Sequence, residues 1–167
     1  MSRFSKNGRS IARINKELKD YKYEWTLFDS DKSKSPFLFI TIKLCPTLQK
    51  RAESVGKDPA LVFTFPIAWP WLPPKVTYYG KNIHELYKTN RIFEKDILKI
   101  SDIGCLCCGS ILCKDKWNPM RKIIEVIEEF IKVTSWRVRV VERLYCKKIQ
   151  EQKLRLPVED YPIYEYL

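Results

Sequence analysis

Several features of known protein classes are missing from this sequence of 167 residues. No run approaches the ~18 consecutive apolar residues of a membrane helix, and the first residues lack the apolar stretch of a signal peptide. Internal repeats and low-complexity segments are also absent. These absences argue against membrane-spanning and repeat classes and predict a cytoplasmic or nuclear protein.

What the sequence contains indicates one compact unit. Its length is close to the ~150 residues of a typical domain. Apolar residues make up 45% and aromatic residues 13%, which is enough to build a core and rules out global disorder. We therefore predict a single domain over residues 1–167, with a core at about 9–134 and a divergent C-terminal helix and tail at 135–167.

The hydrophobic periodicity predicts an α+β domain. A helix is expected from about Arg9 to near Glu24, followed by a four-stranded antiparallel meander, an irregular loop over 80–117 and then C-terminal helices. Asn118 and Pro119 have the residue types of an N-cap and a first helical position. A second C-terminal helix is expected at about 136–152, and the strands are expected near 25–28, 36–44, 61–65 and 75–79.

Six cysteines stand out, because four of them fall within nine residues. A disulfide scaffold would spread its cysteines along the chain, so the cluster indicates thiol chemistry or a metal site. Cys45 and Cys146 stand alone and are expected to be buried, unreactive thiols. The clustered cysteines are Cys105, Cys107, Cys108 and Cys113.

Three sequence blocks, taken in order, resemble ubiquitin-conjugating enzymes of the UBC-like superfamily. Residues 63–76, FTFPIAWPWLPPKV, are similar to the family pattern F-x-F-P-x-x-Y-P-F-x-P-P-K-V. Residues 13–20, RINKELKD, are similar to the family's first helix, R-I-x-K-E-L-x-D. Ile111–Leu112, followed by Trp117–Asn118–Pro119, resembles the segment after the family's active cysteine. Extra length and divergence suggest a viral type, with the host cytoplasm as its compartment.

The resemblance implies a fold and an activity. We expect the UBC-like fold and an enzyme that accepts ubiquitin, or a ubiquitin-like protein, from an activating enzyme as a cysteine thioester. The modifier then passes to a substrate lysine or a ligase. No cofactor or metal is expected, because the upstream activating enzyme uses the ATP. Gly104–Cys105–Leu106–Cys107 fits the family frame, so we expect Cys107 as the nucleophile, with Cys108 and then Cys105 as alternatives.

Around the active site the resemblance assigns supporting roles and also reveals a departure. The family's His-Pro-Asn triplet corresponds here to His84, Glu85 and Leu86, so the usual asparagine is missing. His84 is expected to be a structural hydrogen-bonding residue rather than a base. Trp117, Asn118 and Pro119 are expected near the active site, and Asn82, Asn90 or Asn118 are alternative sources of an amide.

The formal charge of +11 lies at two ends of the chain. Residues 1–22 hold seven basic and two acidic residues, and residues 132–155 hold eight basic and two acidic ones. In the resembled family a basic first helix docks on the activating enzyme, which implies this role for Arg13, Lys16 and Lys19. Trp71 and Met120 fall where the family meets ligases, although packing would also explain both. The C-terminal basic helix has a solvated surface as its simplest interpretation.

Two other classes stay open. The missing asparagine would suit a non-catalytic interaction module of the same fold. Zinc-like Cys105-x-x-Cys108 spacing, with Cys113 as a third ligand, and the basic charge would suit a zinc-bearing nucleic-acid binder. Nucleic acid is possible but not favoured, because that hypothesis leaves the proline-rich block and Trp117–Asn118–Pro119 unexplained. A membrane partner is not expected.

Overall fold

A computed structural model describes residues 7–29, 38–54, 56, 60–87 and 109–152. In this part of the chain an N-terminal helix precedes an antiparallel meander, and a long C-terminal helix packs against the first helix. The architecture is α+β and its topology is consistent with the UBC-like fold, as expected. The elements are α1 (Gly8–Leu18), β1 (Trp25–Asp29), β2 (Leu38–Lys43), α2 (Pro46–Ser54), β3 (Ala60–Phe65), β4 (Lys75–Tyr78), β5 (Lys81–Asn82), α3 (Ile83–Tyr87) and α4 (Ile123–Gln152).

The sheet follows chain order from β1 to β5, with every neighbouring pair antiparallel. The four predicted strands are confirmed, and the two-residue β5 extends the edge. A two-residue turn at Tyr79 and Gly80 joins β4 to β5, and both residues have positive φ, at 54° and 72°. Two positive φ values identify the type I′ turn, whose twist matches that of the strands.

The core lies between the sheet and the two longer helices. Burial alternates along β2, where Leu38, Ile40 and Ile42 point inward. The rings of Tyr78 and Phe130 meet edge to face at a centroid distance of 4.8 Å and join β4 to α4. From α1, Ile14 and Leu18 are fully buried in the same cluster. No helix in the described ranges is long and apolar enough to cross a membrane.

Helix boundaries differ from the sequence prediction in three places. α1 ends at Leu18 rather than near Glu24, because the chain turns there and the Tyr21 N–H donates to the Leu18 carbonyl oxygen. The connection between the second and third predicted strands contains the nine-residue helix α2. The two expected C-terminal helices are one continuous helix of 30 residues, since neither glycine nor proline interrupts it.

The predicted start of that helix is also wrong. α4 begins at Ile123, so Asn118 is not its N-cap and Pro119 is not its first residue. Asn118 instead accepts the Met120 N–H through Oδ1 at 2.9 Å and closes a local turn. At the true helix start the Lys122 N–H donates to Glu125 Oε2 at 2.8 Å, the carboxylate half of a capping box.

Candidate functional site

The three candidate nucleophiles, Cys105, Cys107 and Cys108, lie outside the described residues, as does Asn90. Gly109 directly follows Cys108 and is the first described residue after the cluster, so the structure defines the C-terminal flank of the cysteine cluster. Cys113 is half-buried, and the other two cysteines of the proposed zinc set belong to the part that is not described. The flank is therefore the part of the candidate site whose geometry is known.

A buried polar cluster holds this flank against α4. The Glu129 carboxylate accepts the Ile111 N–H, with N–O distances of 3.1 and 3.3 Å, and it hydrogen-bonds with Ser110. Ser110 is fully buried, and its hydroxyl oxygen accepts the Leu112 N–H at 3.1 Å. One carboxylate thus fixes the backbone two to three residues after Cys108. We call Glu129, Ser110 and Ile111 the carboxylate anchor.

The anchor is electrostatically unusual. Burial raises the pKa of Glu129 above its ordinary value, and its hydrogen bonds to Ile111 and Ser110 oppose that shift. The charges of His84 and Arg121 also favour the ionised carboxylate and so keep the pKa lower than burial alone would make it. The surrounding donors and cations offset part of the effect of burial, and the net direction of the pKa shift is still upward.

His84 occupies the first turn of the short helix α3. Its backbone N–H donates to Asn82 Oδ1 at 2.9 Å, so the oxygen of this candidate amide forms a local cap. The side chain is half-buried and lies close enough to affect Glu129. Leu86, which stands where the family has asparagine, packs against the core and provides no amide.

A second contact joins two loops that are far apart in sequence. Trp117 donates its indole N–H to the Pro70 carbonyl oxygen at 2.7 Å. The proline-rich loop 66–74 and the loop 117–120 are therefore one structural unit. Trp69 anchors this unit by burying its ring against Phe65 at a centroid distance of 4.9 Å.

The same two loops expose large apolar side chains. Trp71 is 74% exposed and Met120 is 81% exposed, so packing does not explain either residue. Ile67 and Leu72 on the proline-rich loop are exposed too. We call Ile67, Trp71, Leu72 and Met120 the apolar loop surface. Large exposed apolar side chains grouped in this way are typical of protein interaction sites.

The basic residues of α1 divide into two groups. Lys16 and Lys19 are exposed, as a docking role requires. Arg13 is engaged within the protein: its Nε pairs with Glu17 Oε1 at 2.6 Å, and its Nη2 donates to the Arg121 carbonyl oxygen at 2.8 Å. Its guanidinium also lies 4.8 Å from the centroid of the Trp69 ring. Arg13 therefore has a structural task that the sequence did not reveal.

Glu17 completes that contact. Its Oε2 accepts the Ile123 N–H at 2.8 Å, which caps α4 from another helix. We call Arg13 and Glu17 the helix clasp. Sequence analysis missed both Glu17 and Glu129, although a carboxylate beside the apolar stripe of its helix was a visible signal in each case. Their partners are backbone groups distant in the chain, and sequence spacing cannot identify them.

The lone cysteines differ from each other. Cys45 is half-buried rather than buried, and it packs against the core. Cys146 is exposed on α4, so the expectation that it is buried was wrong. Among the α4 residues whose burial is described, the last that packs against the core is Val133, more than three turns before Cys146.

The chain matches no protein-family model, no curated protein and no solved structure.

Proposed function

We propose that the chain is a ubiquitin-conjugating enzyme that carries ubiquitin, or a ubiquitin-like protein, as a thioester on a cysteine of the 105–108 cluster. The observation that carries this proposal is the hydrogen bond from Trp117 to Pro70. It joins the proline-rich block and the Trp117–Asn118–Pro119 block, which are separate in sequence, into one loop pair beside the cysteine flank. Two blocks that carry the resemblance are thus parts of one unit.

The chemistry is an exchange of thioesters followed by transfer to an amine. The Cys107 thiolate attacks the thioester carbonyl carbon, a new S–C bond forms, and the cysteine of the activating enzyme leaves as a thiolate. A lysine amine later attacks the same carbon, the Cys107 thiolate leaves, and the amine proton passes to solvent. A hydrogen-bond donor must stabilise the oxyanion in each step.

The carboxylate anchor supports this proposal. A nucleophile needs a defined approach, and fixing the backbone just after the cysteine cluster limits the positions that the thiolate can take. Glu129 therefore acts as a positioning residue for the flank. The apolar loop surface, with Trp71 and Met120, is the proposed contact for ligases, and Lys16 and Lys19 are the proposed contacts for the activating enzyme.

The missing asparagine favours one alternative, a non-catalytic interaction module of the same fold. Leu86 stands in its place, and the oxygens of Asn82 and Asn118 serve local turns. Such a module would keep the apolar loop surface and lose thioester formation. The two functions therefore differ in one measurable reaction.

A charging reaction tests the proposal. The full chain is incubated with ubiquitin, activating enzyme and ATP, and the products are separated with and without reductant. We expect an adduct that reductant removes, and mass mapping should place it on Cys107. Serine at the true nucleophile should give an ester adduct that survives reductant. Cys146→Ser, at an exposed thiol outside the cluster, is the matched control and should charge normally.

Two results would contradict the proposed conjugating activity. If no activating enzyme charges the chain, the interaction module is the better interpretation. If the adduct persists unchanged in each of the three single variants, at Cys105, Cys107 and Cys108, no one cysteine of the cluster is the acceptor.

A further inference from the structure

The middle of α4 carries basic side chains along one face. Lys132, Arg139 and Arg143 are exposed, and Trp136 lies between them. Their spacing of i, i+4, i+7 and i+11 aligns all four side chains on one side of a helix over ~16 Å. We call Lys132, Trp136, Arg139 and Arg143 the basic stripe.

The fold does not use these charges. Within the described ranges, no carboxylate forms an ion pair with any of the three cations. Arg139 donates through Nε to the Ser135 carbonyl oxygen at 3.3 Å, an exposed contact that leaves its terminal nitrogens available. Glu128 is exposed one turn before Lys132, and the half-buried Glu142 directly precedes Arg143, so the stripe has one carboxylate near each end and neither is ion-paired with it.

Trp136 is the unusual member of the stripe. It is half-buried, yet it does not belong to the core cluster, and no aromatic ring of the described residues packs against it. Lys132 lies one turn before it and Arg139 one turn after it. A large indole that does not pack in the core and lies among cations is suited to stacking with another π system.

We propose that the basic stripe binds single-stranded nucleic acid, with Lys132, Arg139 and Arg143 on the phosphates and a base stacked on Trp136. An unpaired base offers its flat face, whereas a duplex hides the base faces within its own stack. This binding is independent of the conjugating activity.

Fluorescence anisotropy with a labelled oligothymidylate tests the proposal on the full chain. The variant Lys132→Gln/Arg139→Gln/Arg143→Gln should bind at least about tenfold more weakly at low salt. It should also flatten the plot of log K against log salt by about 2, as expected for three lost phosphate contacts on a single strand. The matched control Lys50→Gln/Lys75→Gln/Lys81→Gln removes equal charge from other exposed sites and should stay within about twofold.

A second substitution isolates the stacking contact. Trp136→Ala keeps every charge and should weaken binding about tenfold without changing the salt slope, whereas Trp136→Phe should retain most of the affinity. Circular dichroism establishes that both variants fold. A duplex of the same length should bind more weakly and should not respond to Trp136→Ala.

Three outcomes would overturn the proposal. Equal losses in the two triple variants would mean that net charge alone drives binding. If Trp136→Ala binds with unchanged affinity, no base stacks on Trp136. Binding to phosphatidylserine vesicles but not to the oligonucleotide would make the stripe a membrane contact.

Discussion

The helices α1 and α4 are both basic, but they use their charges differently. On α1, Arg13 joins Glu17 and the start of α4, while Lys16 and Lys19 remain exposed. On α4, Lys132, Arg139 and Arg143 are all exposed, and the charges that the fold uses are the acidic Glu125 and Glu129. The charged residues of both helices are therefore of two kinds: some form contacts within the fold, and others are exposed to solvent.

Arg137 shows that partly buried and exposed charges can lie only two residues apart on α4. It sits two residues before Arg139, yet it lines a cleft with Tyr78 and Phe130, and burial lowers the pKa of its guanidinium. A rotation of 200° between these two positions of a helix separates a half-buried cleft from solvent. The following experiments test this division of charges.

The largest effect is expected from the helix clasp. Glu17→Ala removes the carboxylate that holds Arg13 and caps Ile123, and it leaves a half-buried guanidinium without its anion. We expect the free energy of unfolding to fall by about 3 kcal/mol in urea denaturation. Lys16→Ala, one position away on the exposed side, should change it by less than about 0.5 kcal/mol. If the two substitutions lower the free energy of unfolding equally, the charges of α1 do not divide into structural and exposed groups.

The carboxylate anchor should rank next. Glu129→Ala leaves the Ile111 N–H and the buried Ser110 hydroxyl without their acceptor, which should cost about 1–3 kcal/mol. Glu128→Ala, at the neighbouring exposed residue, should cost less than about 0.5 kcal/mol. Hydrogen exchange at the Ile111 amide should accelerate in the Glu129 variant alone. Unchanged exchange would show that Glu129 does not hold the flank.

We expect the exposed charges of α1, and not those of α4, to contribute to binding of the activating enzyme. Replacing Lys16 and Lys19 by Gln should slow ubiquitin transfer from the activating enzyme by up to about tenfold at low salt, because the long-range attraction is lost. Replacing Lys132 and Arg139 by Gln should leave that rate nearly unchanged. Single-turnover charging at two salt concentrations measures both. A slower rate in both variants would indicate one undivided basic surface.

The smallest effect concerns the pH dependence of stability. The pKa of Glu129 is raised on folding, so the unfolded state loses this proton first as pH rises past about 4.5. The contribution of Glu129 is therefore greatest below that pH and is lost as pH rises through the higher pKa of the folded state. Glu129→Gln should flatten this fall when urea midpoints are compared from acidic to neutral pH. In the control Glu128→Gln, the urea midpoint should fall with pH as it does in the unmodified chain. If the fall is flatter in that control too, the pH dependence is not specific to Glu129.

Sequence reasoning was accurate where a pattern is local. The alternation in Leu38–Lys43 and the helical spacing of Ile123, Ile127 and Phe130 reflect burial directly, and both elements were predicted. It failed at Asn118, where the residue type suits an N-cap but the chain makes a turn first. The type of an element follows from neighbouring residues, whereas its first residue depends on which distant group satisfies its N–H groups.

By itself, the sequence determined the α+β architecture, the strand order and the two basic segments of the chain, because periodicity and charge depend on neighbouring residues. Only the tertiary structure decided which charges are used. It brought Glu17 to the Ile123 N–H, Glu129 to the Ile111 N–H and Trp117 to the Pro70 carbonyl. These contacts pair side chains with backbone groups on other elements, and backbone groups have no sequence signature. The same physical reason leaves the basic stripe exposed, because no folded partner reaches it within the described residues.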